Sequence, residues 1–206
     1  MSYRTMALGD VLDAFASNEP VPGGGSAAAL AGALGVSLLV MVAGLEKTRT
    51  GAPEEAADLA EASARLRPIR DSLLALVDTD SRAYTEVLEA MRLPRTTAPE
   101  KAVRRAAIES ALVAAIEAPL DTMRCCQQAL RGALVVASHG NPNAATDTGA
   151  GVELLVAGLR GAGMNVDVNL KSVSDADFTT RVAAERAELA SEGEADAARV
   201  RAGLGF

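Results

Sequence analysis

Hydrophobic positions recur at helical spacing along most of this chain, and breaker residues separate the periodic segments. The pattern predicts a first helix over 7–17, in which Leu8, Leu12 and Phe15 share one stripe. Two prolines and three consecutive glycines within 20–25 are expected to end it.

An apolar segment follows, and Ser26 is a plausible N-cap for a helix that ends near Lys47. No charged residue occurs over 26–45, and about 20 such residues can span a bilayer. The segment consists largely of Ala and Gly, which contribute much less to membrane insertion than Leu, Ile or Phe. We therefore expect a buried core helix rather than a membrane span.

Two long helical patterns cover 54–92 and 99–138, and each contains one internal proline, Pro68 or Pro119. An internal proline is expected to kink or divide a helix. Because the connection between them is short, the two segments predict an αα-hairpin. Helices of this length overhang a compact core, so part of the hairpin is expected to pack on a partner subunit.

The remaining sequence predicts shorter helices. Asp147 or Thr146 is expected to cap a helix that reaches about Arg160. Gly161 and Gly163 are then expected to interrupt the chain before a segment over 164–170. Ser174 or Asp175 is expected to cap the last helix.

Composition agrees with an all-α, multihelical fold, because the chain is rich in alanine and only 2% aromatic. The absence of repeats and of low-complexity linkers favours a single domain over 1–206. A net charge of −7 argues against a nucleic-acid partner and against an anionic membrane surface.

The cysteines Cys125 and Cys126 are adjacent, which disfavours a disulfide and fits a reducing cytoplasm. The chain has one histidine, His139, so the His and Cys ligands of an ordinary zinc site are not available. His139 is either a helix-end residue or, less simply, a catalytic base. The chemistry is therefore expected to come from carboxylates, amides, hydroxyls and backbone groups, without a metal.

The sharpest local signal is the run of glycines from Gly23 through Gly24 to Gly25, followed by Ser26 at a helix start. Consecutive glycines allow either a tight turn or a close approach to bare backbone, and free N–H groups at a helix start bind anions. Neither a P-loop nor a dinucleotide fingerprint fits the spacing. A ligand loop and a tight helix connection both remain open.

Two carboxylates, Asp78 and Asp80, lie inside an apolar helical stretch, and Tyr84 shares a helix face with Asp80. Asp is a poor residue for a helix interior, so the pair indicates either a site or an ordinary solvated face.

A polar loop with Asn141 leads to Asp147, and Asn165 and Asn169 lie on one face of a later apolar segment. Asn and Asp at helix starts are most often N-caps. A capping role would explain Asp175 well and Asp147 moderately. Asn165 and Asn169 are expected within an apolar segment, where a buried amide side chain must find hydrogen-bond partners.

These motifs together resemble the cyclodeaminase/cyclohydrolase family, which includes the cyclodeaminase domain of formiminotransferase-cyclodeaminase and stand-alone bacterial methenyltetrahydrofolate cyclohydrolases. The resemblance covers nearly the whole chain, and its motifs are collinear: Pro22–Ser26, Asp78–Tyr84, Leu88–Pro94, Ala118-Pro119, Gly140-Asn141 with Asp147, Asn165–Leu170 and Asp175–Phe178.

The resemblance implies an α-hairpin used for dimerisation, a tetrahydrofolate derivative as substrate, and neither a metal nor a permanently bound cofactor. It implies two candidate reactions, closure of 5-formiminotetrahydrofolate with loss of ammonia, and interconversion of 5,10-methenyl- and 10-formyltetrahydrofolate. The family usually shows Leu-Thr-x-Gly and a basic residue after the apolar helix. Here Glu46 and Thr48 depart from this pattern, and the basic residue is Arg49.

We expect Asp80 and Asp147 to act as general acid and base in one site. The expected substrate-binding residues are Gly23, Gly24, Gly25, Ser26, Arg49, Tyr84, Asn141, Asn165 and Asn169. A cytoplasmic homodimer is expected. The alternatives are a family member that binds a folate or another heterocycle without catalysis, and a helical scaffold whose motifs are packing features.

Overall fold

A computed structural model describes residues 2–205, and within them all regular structure is helical. This confirms the all-α prediction. Short 3-10 turns at Tyr3–Thr5 and Pro142–Ala144 accompany the α-helices, which are α1 (Leu8–Ala16), α2 (Gly24–Ala43), α3 (Pro53–Arg92), α4 (Ala98–His139), α5 (Ala145–Leu170) and α6 (Ala176–Leu204).

The long hairpin is present as predicted, with α3 of 40 residues and α4 of 42 residues. Pro68 and Pro119 lie inside these helices, and neither divides its helix. The second helix begins with a capping box in which Thr97 accepts from the backbone of Glu100 and the Glu100 side chain accepts from the backbone of Thr97.

The helices pack around α4, which contacts α3, α5, α6 and, less extensively, α2. Helix α2 lies between α3 and α5. Fully buried side chains from these helices form the core, including Leu39, Leu73, Ile116, Leu130 and Leu155. Burial of such side chains contributes about 1.5–3 kcal/mol each relative to exposure.

Helix α5 is continuous, so the predicted interruption at Gly161 and Gly163 is wrong. A Cβ on Gly161 would lie 3.2 Å from Cβ of Ala28 in α2, and a Cβ on Gly163 would lie 3.2 Å from the Arg186 guanidinium. These glycines therefore permit close packing instead of ending the helix.

Helices α2 and α5 run antiparallel. Gly24 lies beside Asn165. Eleven residues further along α2, the backbone at Gly35 approaches that of Gly151, so that a Cβ on Gly35 would lie 2.6 Å from the Gly151 carbonyl oxygen. The start of α2 therefore meets the end of α5, and the start of α5 meets the end of α2.

The α2 boundaries differ from the predicted ones, because Gly23 is the N-cap and the helix ends at Ala43. The helix is long and apolar enough to cross a membrane, but 61% of its most apolar window is buried inside the chain. This burial is that of a core helix, as predicted. In α1 the predicted stripe is not a buried one, because Leu8 and Leu12 are exposed and Val11 is the buried residue.

The hairpin tip extends past the start of α2. It has its own small apolar cluster, in which Val87 of α3 packs near Leu112 of α4. The tip also exposes apolar side chains, including Tyr84, Met91 and Val103.

Candidate active site at the start of helix α2

The Asp80 carboxyl group of α3 lies directly against the first turn of α2. A Cβ built on Gly25 would lie 2.6 Å from Cγ of Asp80 and 2.8 Å from its Oδ2. Real Cβ atoms do not approach other atoms this closely, so only glycine at position 25 allows the contact. Of the two alternatives for the glycine run, close approach to bare backbone is therefore the one found at this position.

Ser26 links this carboxyl group to the helix core. Its buried hydroxyl lies 2.8 Å from Oδ2 of Asp80, 2.9 Å from Oγ of Ser81 and 3.0 Å from the Val77 carbonyl oxygen. A hydroxyl has a single proton, and a carbonyl oxygen can only accept. Ser26 can donate to an ionised Asp80, or it can donate to Val77 while a protonated Asp80 donates to it. Both protonation states of Asp80 are thus hydrogen-bonded without movement of heavy atoms.

Burial raises the pKa of Asp80 above its ordinary value of 3.8, and hydrogen bonds from the Ser26 hydroxyl and backbone N–H oppose this increase. The Ser26 N–H therefore binds the protein's own carboxylate, and not the substrate as the glycine run had led us to expect. A raised pKa makes the ionised carboxyl group a stronger base, which suits a group that accepts a proton and returns it.

Asn165 of α5 completes this group of residues. A Cβ on Gly24 would lie 3.5 Å from Nδ2 of Asn165, and this amide donates to the Gly161 carbonyl of its own helix at 2.9 Å. Its Oδ1 and second N–H are left for other partners. We name Gly24, Gly25, Ser26, Asp80 and Asn165 the Asp80 cluster.

Asn169 has a different partner. Its Nδ2 donates to the Ala115 carbonyl oxygen of α4 at 2.8 Å. In a regular helix this carbonyl would accept from the residue four positions later, but that residue is Pro119, which has no N–H. The Asn169 amide therefore replaces a helix hydrogen bond that proline removes. Asn169 was predicted to bind substrate, but its Nδ2 group has this structural role.

Asp78 lies near the cluster but binds the N-terminal segment. It accepts from the Ser2 hydroxyl and the Tyr3 backbone N–H, both at 2.6 Å. Tyr84 lies one turn beyond Asp80 on α3, with its side chain exposed. Gly23, as the N-cap of α2, lies at the edge of the cluster.

The other predicted site residues lie at the opposite end of α2. The Arg49 guanidinium donates to the Ala137 carbonyl oxygen at 2.7 Å, and Asn141 accepts from the backbone of Asn143 at 2.9 Å. Asp147 lies in the first turn of α5 and is half-buried. It is not the N-cap of α5, which is Ala144.

Within one chain the two predicted proton carriers do not meet. Asp147 precedes Asn165 by 18 residues in a continuous helix, which corresponds to about 27 Å along its axis. Because Asn165 belongs to the Asp80 cluster, Asp147 is too distant for one small molecule to contact both acids in a single subunit. The sequence does not specify whether the two acids act within one subunit or across a pair, and within one subunit the continuous helix α5 keeps them apart.

Two groups of polar residues in the structure were not predicted from the sequence. Ser81, directly after Asp80, shares the Ser26 hydroxyl, and its position beside a candidate acid was the available signal. At the far end, Glu55 accepts from the Thr48 hydroxyl at 2.7 Å and from the Thr50 backbone at 2.8 Å, and these bonds lower its pKa to about 2. Thr48 thus organises the loop before α3.

A groove of about 850 Å³ lies between α3 and α4. Its apolar residues include Leu66, Ile69 and Val135. His139, the alternative candidate for a catalytic base, lines this groove, and no residue of the Asp80 cluster does. Arg131 at its rim already pairs with Glu192 at 2.9 Å. The groove is therefore separate from the Asp80 cluster.

Comparisons with known proteins agree with the resemblance of the motifs. The sequence profile of the formiminotransferase-cyclodeaminase family matches residues 7–188. The chain is 40% identical over 167 residues to a methenyltetrahydrofolate cyclohydrolase of Methylorubrum extorquens, covering 81% of this chain and 80% of that protein. It is 32% identical over 198 residues to the formimidoyltransferase-cyclodeaminase of Gallus gallus, covering 96% of this chain but only 37% of the longer relative.

A similar fold is known from a crystal structure. The formiminotetrahydrofolate cyclodeaminase of Thermotoga maritima superposes with a TM-score of 0.87 at 26% identity, covering 98% of this chain and 96% of that one. The chain belongs to the formiminotransferase-cyclodeaminase family.

Proposed function

We propose that this protein is a folate one-carbon enzyme that interconverts 5,10-methenyltetrahydrofolate and 10-formyltetrahydrofolate. The observation that carries the proposal is the buried Asp80 carboxyl group, held against bare backbone at Gly25 and hydrogen-bonded by Ser26. The 40% identity to a named methenyltetrahydrofolate cyclohydrolase supports this choice of substrate.

The reaction needs a group that takes a proton and gives it back. Water attacks the carbon between the two folate nitrogens, and Asp80 accepts one proton from this water as the C–O bond forms. Asp80 then returns the proton to N5 as the C–N5 bond breaks. The hydroxyl on the carbon loses the second proton when the formyl C=O forms, so one proton is released overall. The Ser26 hydroxyl can bond Asp80 before and after each transfer.

Electrostatics favour the same assignment. The methenyl form carries a positive charge shared by the two nitrogens and the bridging carbon. An ionised Asp80 in a partly desolvated position attracts this charge more strongly than a carboxylate in water does. Gly24 leaves room for a planar ring to approach the backbone, and the Oδ1 of Asn165 is an acceptor for ring N–H groups.

The second candidate is cyclodeamination of 5-formiminotetrahydrofolate, which the likeness to a formiminotetrahydrofolate cyclodeaminase favours. N10 then attacks the formimino carbon, and ammonia leaves from the same tetrahedral centre. The departing nitrogen takes the proton from N10 and one further proton from solution, so one proton is consumed overall and the nitrogen leaves as ammonia. An acid–base group in the place of Asp80 can carry these protons, so it can serve either reaction.

The proposal includes the wider properties expected from the sequence. Residues 1–206 act as one cyclodeaminase/cyclohydrolase-like domain in a cytoplasmic homodimer, with the α3–α4 hairpin as a dimerisation element. The exposed Tyr84, Met91 and Val103 at the hairpin tip support contact with a partner. The folate is a substrate, and neither a permanently bound cofactor nor a metal takes part.

The test is a pair of absorbance assays on the purified protein. With 5,10-methenyltetrahydrofolate we expect loss of the near-ultraviolet band faster than in buffer alone. With 5-formiminotetrahydrofolate, growth of the same band reports the second activity. No acceleration with either substrate contradicts the proposal. Calorimetric binding of a folate without turnover would identify a binding protein, and no shift of the melting temperature by folates would favour a scaffold.

A further inference from the structure

A group of basic side chains lies in a pocket near the tip of the α3–α4 hairpin. The pocket has a volume of about 340 Å³ and lies between the start of α4 and the segment that joins α5 to α6. The basic residues that line it are Arg95, Lys101, Arg104 and Arg105. The whole chain has a net charge of −7, so this concentration of positive charge favours an anionic ligand at one particular place. We name it the basic pocket.

The protein itself does not neutralise these cations. None of the four forms an ion pair within residues 2–205. Glu109 also lines the pocket, and it accepts from the Ser174 backbone N–H at 3.2 Å and from the Ser174 hydroxyl at 3.4 Å. Glu100, next to Lys101 in sequence, accepts from the backbone of Thr96 and Thr97 as part of the cap of α4. The basic pocket therefore keeps a net positive charge.

The start of α4 holds its basic residues on one side. Lys101, Arg104 and Arg105 are three and four residues apart, and this spacing places them on one face of the helix. The Arg104 guanidinium is fixed by the Met91 carbonyl oxygen, to which Nε and Nη2 donate at 3.2 and 3.1 Å. Lys101 and Arg105 are exposed, and within residues 2–205 their side chains make no hydrogen bond. Their N–H groups are therefore available to a ligand.

The end of α5 connects the Asp80 cluster to the basic pocket. Asn165 of the cluster is five residues from Leu170, the last residue of α5, which corresponds to about 7–8 Å along the helix axis. Val173, in the segment that follows, packs against both the main core and the small apolar cluster of the hairpin tip. The residues of this segment that line the pocket are Ser172 and Ser174. The pocket therefore lies a short and fixed distance beyond the cluster.

We propose that the basic pocket binds the carboxylates at the tail of the folate substrate while the ring lies at the Asp80 cluster. The proposal rests on the proposed function, which supplies the substrate. A tetrahydrofolate carries its reacting nitrogens near one end and its glutamate carboxylates at the other, with a p-aminobenzoyl group between them. A basic site that begins about 7–8 Å beyond Asn165 matches this separation of ring and charge.

The basic residue that was expected to bind substrate does not supply this charge within the subunit. The Arg49 guanidinium lies at the opposite end of α2, where it donates to the Ala137 carbonyl oxygen. In the basic pocket, Arg105 can bind a carboxylate through two parallel N–H···O bonds, and Lys101 adds a compact point charge. These two residues suit the two carboxylates of one glutamate, and Arg95 is left for a further γ-linked glutamate.

Neutral substitutions in the pocket test this assignment. Lys101→Gln and Arg105→Gln change exposed side chains, so both variants are expected to fold. Each should raise KM for 5,10-methenyltetrahydrofolate by about 5- to 10-fold and leave kcat unchanged, because the lost contact is equal in the ground state and the transition state. Arg67→Gln is the matched control, since it removes an exposed arginine of α3 outside the pocket.

A truncated substrate shows whether the lost contact is to the tail. The wild type should have a raised KM for 5,10-methenyltetrahydropteroate, which lacks the glutamate, and Arg105→Gln should raise this KM no further. Wild-type KM values of both variants for the complete substrate would overturn the proposal. An equal loss with the complete and the truncated substrate would overturn it too, because Arg105 would then act elsewhere than on the tail.

A binding experiment separates this proposal from the proposed function. The probe p-aminobenzoyl-tri-γ-glutamate has the tail but no pteridine ring, so its binding does not depend on turnover. Calorimetry should show that the wild type binds it, and that Lys101→Gln/Arg105→Gln binds it at least about 10-fold more weakly. Salt at about 0.5 M should also weaken binding to the wild type, because it screens exposed charges.

The comparison probe is p-aminobenzoate, which lacks the glutamates and should not bind. Binding of the triglutamate probe without turnover of either folate would contradict the proposed function and leave the pocket supported. Equal binding of this probe by the wild type and the double variant, or binding by neither, would overturn the assignment of the basic pocket even if the folates are substrates.

Discussion

Asp80 occupies the space that a side chain at position 25 would need, so Gly25 and Asp80 form one structural unit. A Cβ on Gly25 would lie 2.6 Å from Cγ of Asp80. The carboxyl group therefore meets the backbone of α2 directly, and Ser26 holds it there with a 2.8 Å hydrogen bond. This contact explains why a glycine precedes the serine at the start of an otherwise alanine-rich helix.

Gly25→Ala should displace Asp80 and lower kcat/KM by about 10²-fold, because even small misplacement of a proton carrier is costly. Steady-state kinetics with 5,10-methenyltetrahydrofolate measures the effect. Gly203→Ala is the matched control, since no atom lies within 4 Å of its added Cβ in α6. Equal kinetics for Gly25→Ala and the wild type would mean that the position of Asp80 is unimportant.

Asp80→Asn should raise the melting temperature at pH 7. Burial raises the pKa of Asp80, so the folded state binds this proton more tightly than the unfolded state does. Stability from this group is complete below its ordinary pKa of 3.8 and is lost as the pH rises through the raised value. The advantage of the neutral variant is therefore largest at neutral pH and shrinks on acidification.

Thermal unfolding at several pH values checks this prediction, with Asp71→Asn as the control. Asp71 is an exposed carboxylate on the same helix and pairs with the neighbouring Arg70. A melting temperature of Asp80→Asn below that of the wild type at pH 7 would show that the ionised carboxylate stabilises the fold, which contradicts the argument from desolvation.

Thr48→Val should weaken the dependence of stability on pH in acid. The Thr48 hydroxyl is the largest cause that lowers the pKa of Glu55 from 4.5 to about 2, followed by the backbone N–H of Thr50. Because the folded pKa is depressed, the stabilisation is present above the ordinary pKa and is lost as the pH falls toward 2.

Urea midpoints between about pH 7 and pH 3 measure this slope. The wild type should be more stable than Thr48→Val at pH 7, and the two should converge at the acidic end. A constant difference across the range would mean that the Thr48 hydroxyl does not act through the ionisation of Glu55.

Asn169→Ala should lower the free energy of unfolding by about 1–3 kcal/mol, because it leaves the buried Ala115 carbonyl without a donor. Pro119→Ala restores a backbone N–H at the position from which that carbonyl accepts in a regular helix. The cost of Asn169→Ala should therefore be smaller in the Pro119→Ala background. Denaturant unfolding of the four proteins gives the comparison, and strictly additive effects would count against this role of Asn169.

The sequence predicted the helices better than it predicted their relation in space. Local periodicity and capping rules predict the hairpin, the buried nature of α2 and a cap at Ser174 or Asp175. The structure has the cap at Asp175, which accepts from Asp177 and Phe178. The interruption expected at Gly161 and Gly163 was wrong because tertiary contacts decide whether a glycine ends a helix or admits a neighbour.

The candidate site was predictable only in part. The glycine run and Asp80 do meet. Both could be predicted as site residues, because consecutive glycines and an acid in an apolar helix are local signals in the sequence. Asn169 could not be separated from a ligand-binding amide, since its partner at Ala115 lies 54 residues away in sequence. The distance between Asp80 and Asp147 depends on the antiparallel packing of α2 and α5, which no local pattern specifies.

The most direct test of the central claim compares the wild type with Asp80→Asn in the hydrolysis of 5,10-methenyltetrahydrofolate. The account predicts that the wild type removes the near-ultraviolet band faster than buffer does, and that Asp80→Asn lowers kcat/KM by about 10²-fold or more while remaining folded. Hydrolysis at the wild-type rate by folded Asp80→Asn would contradict the assignment of Asp80 as the proton carrier.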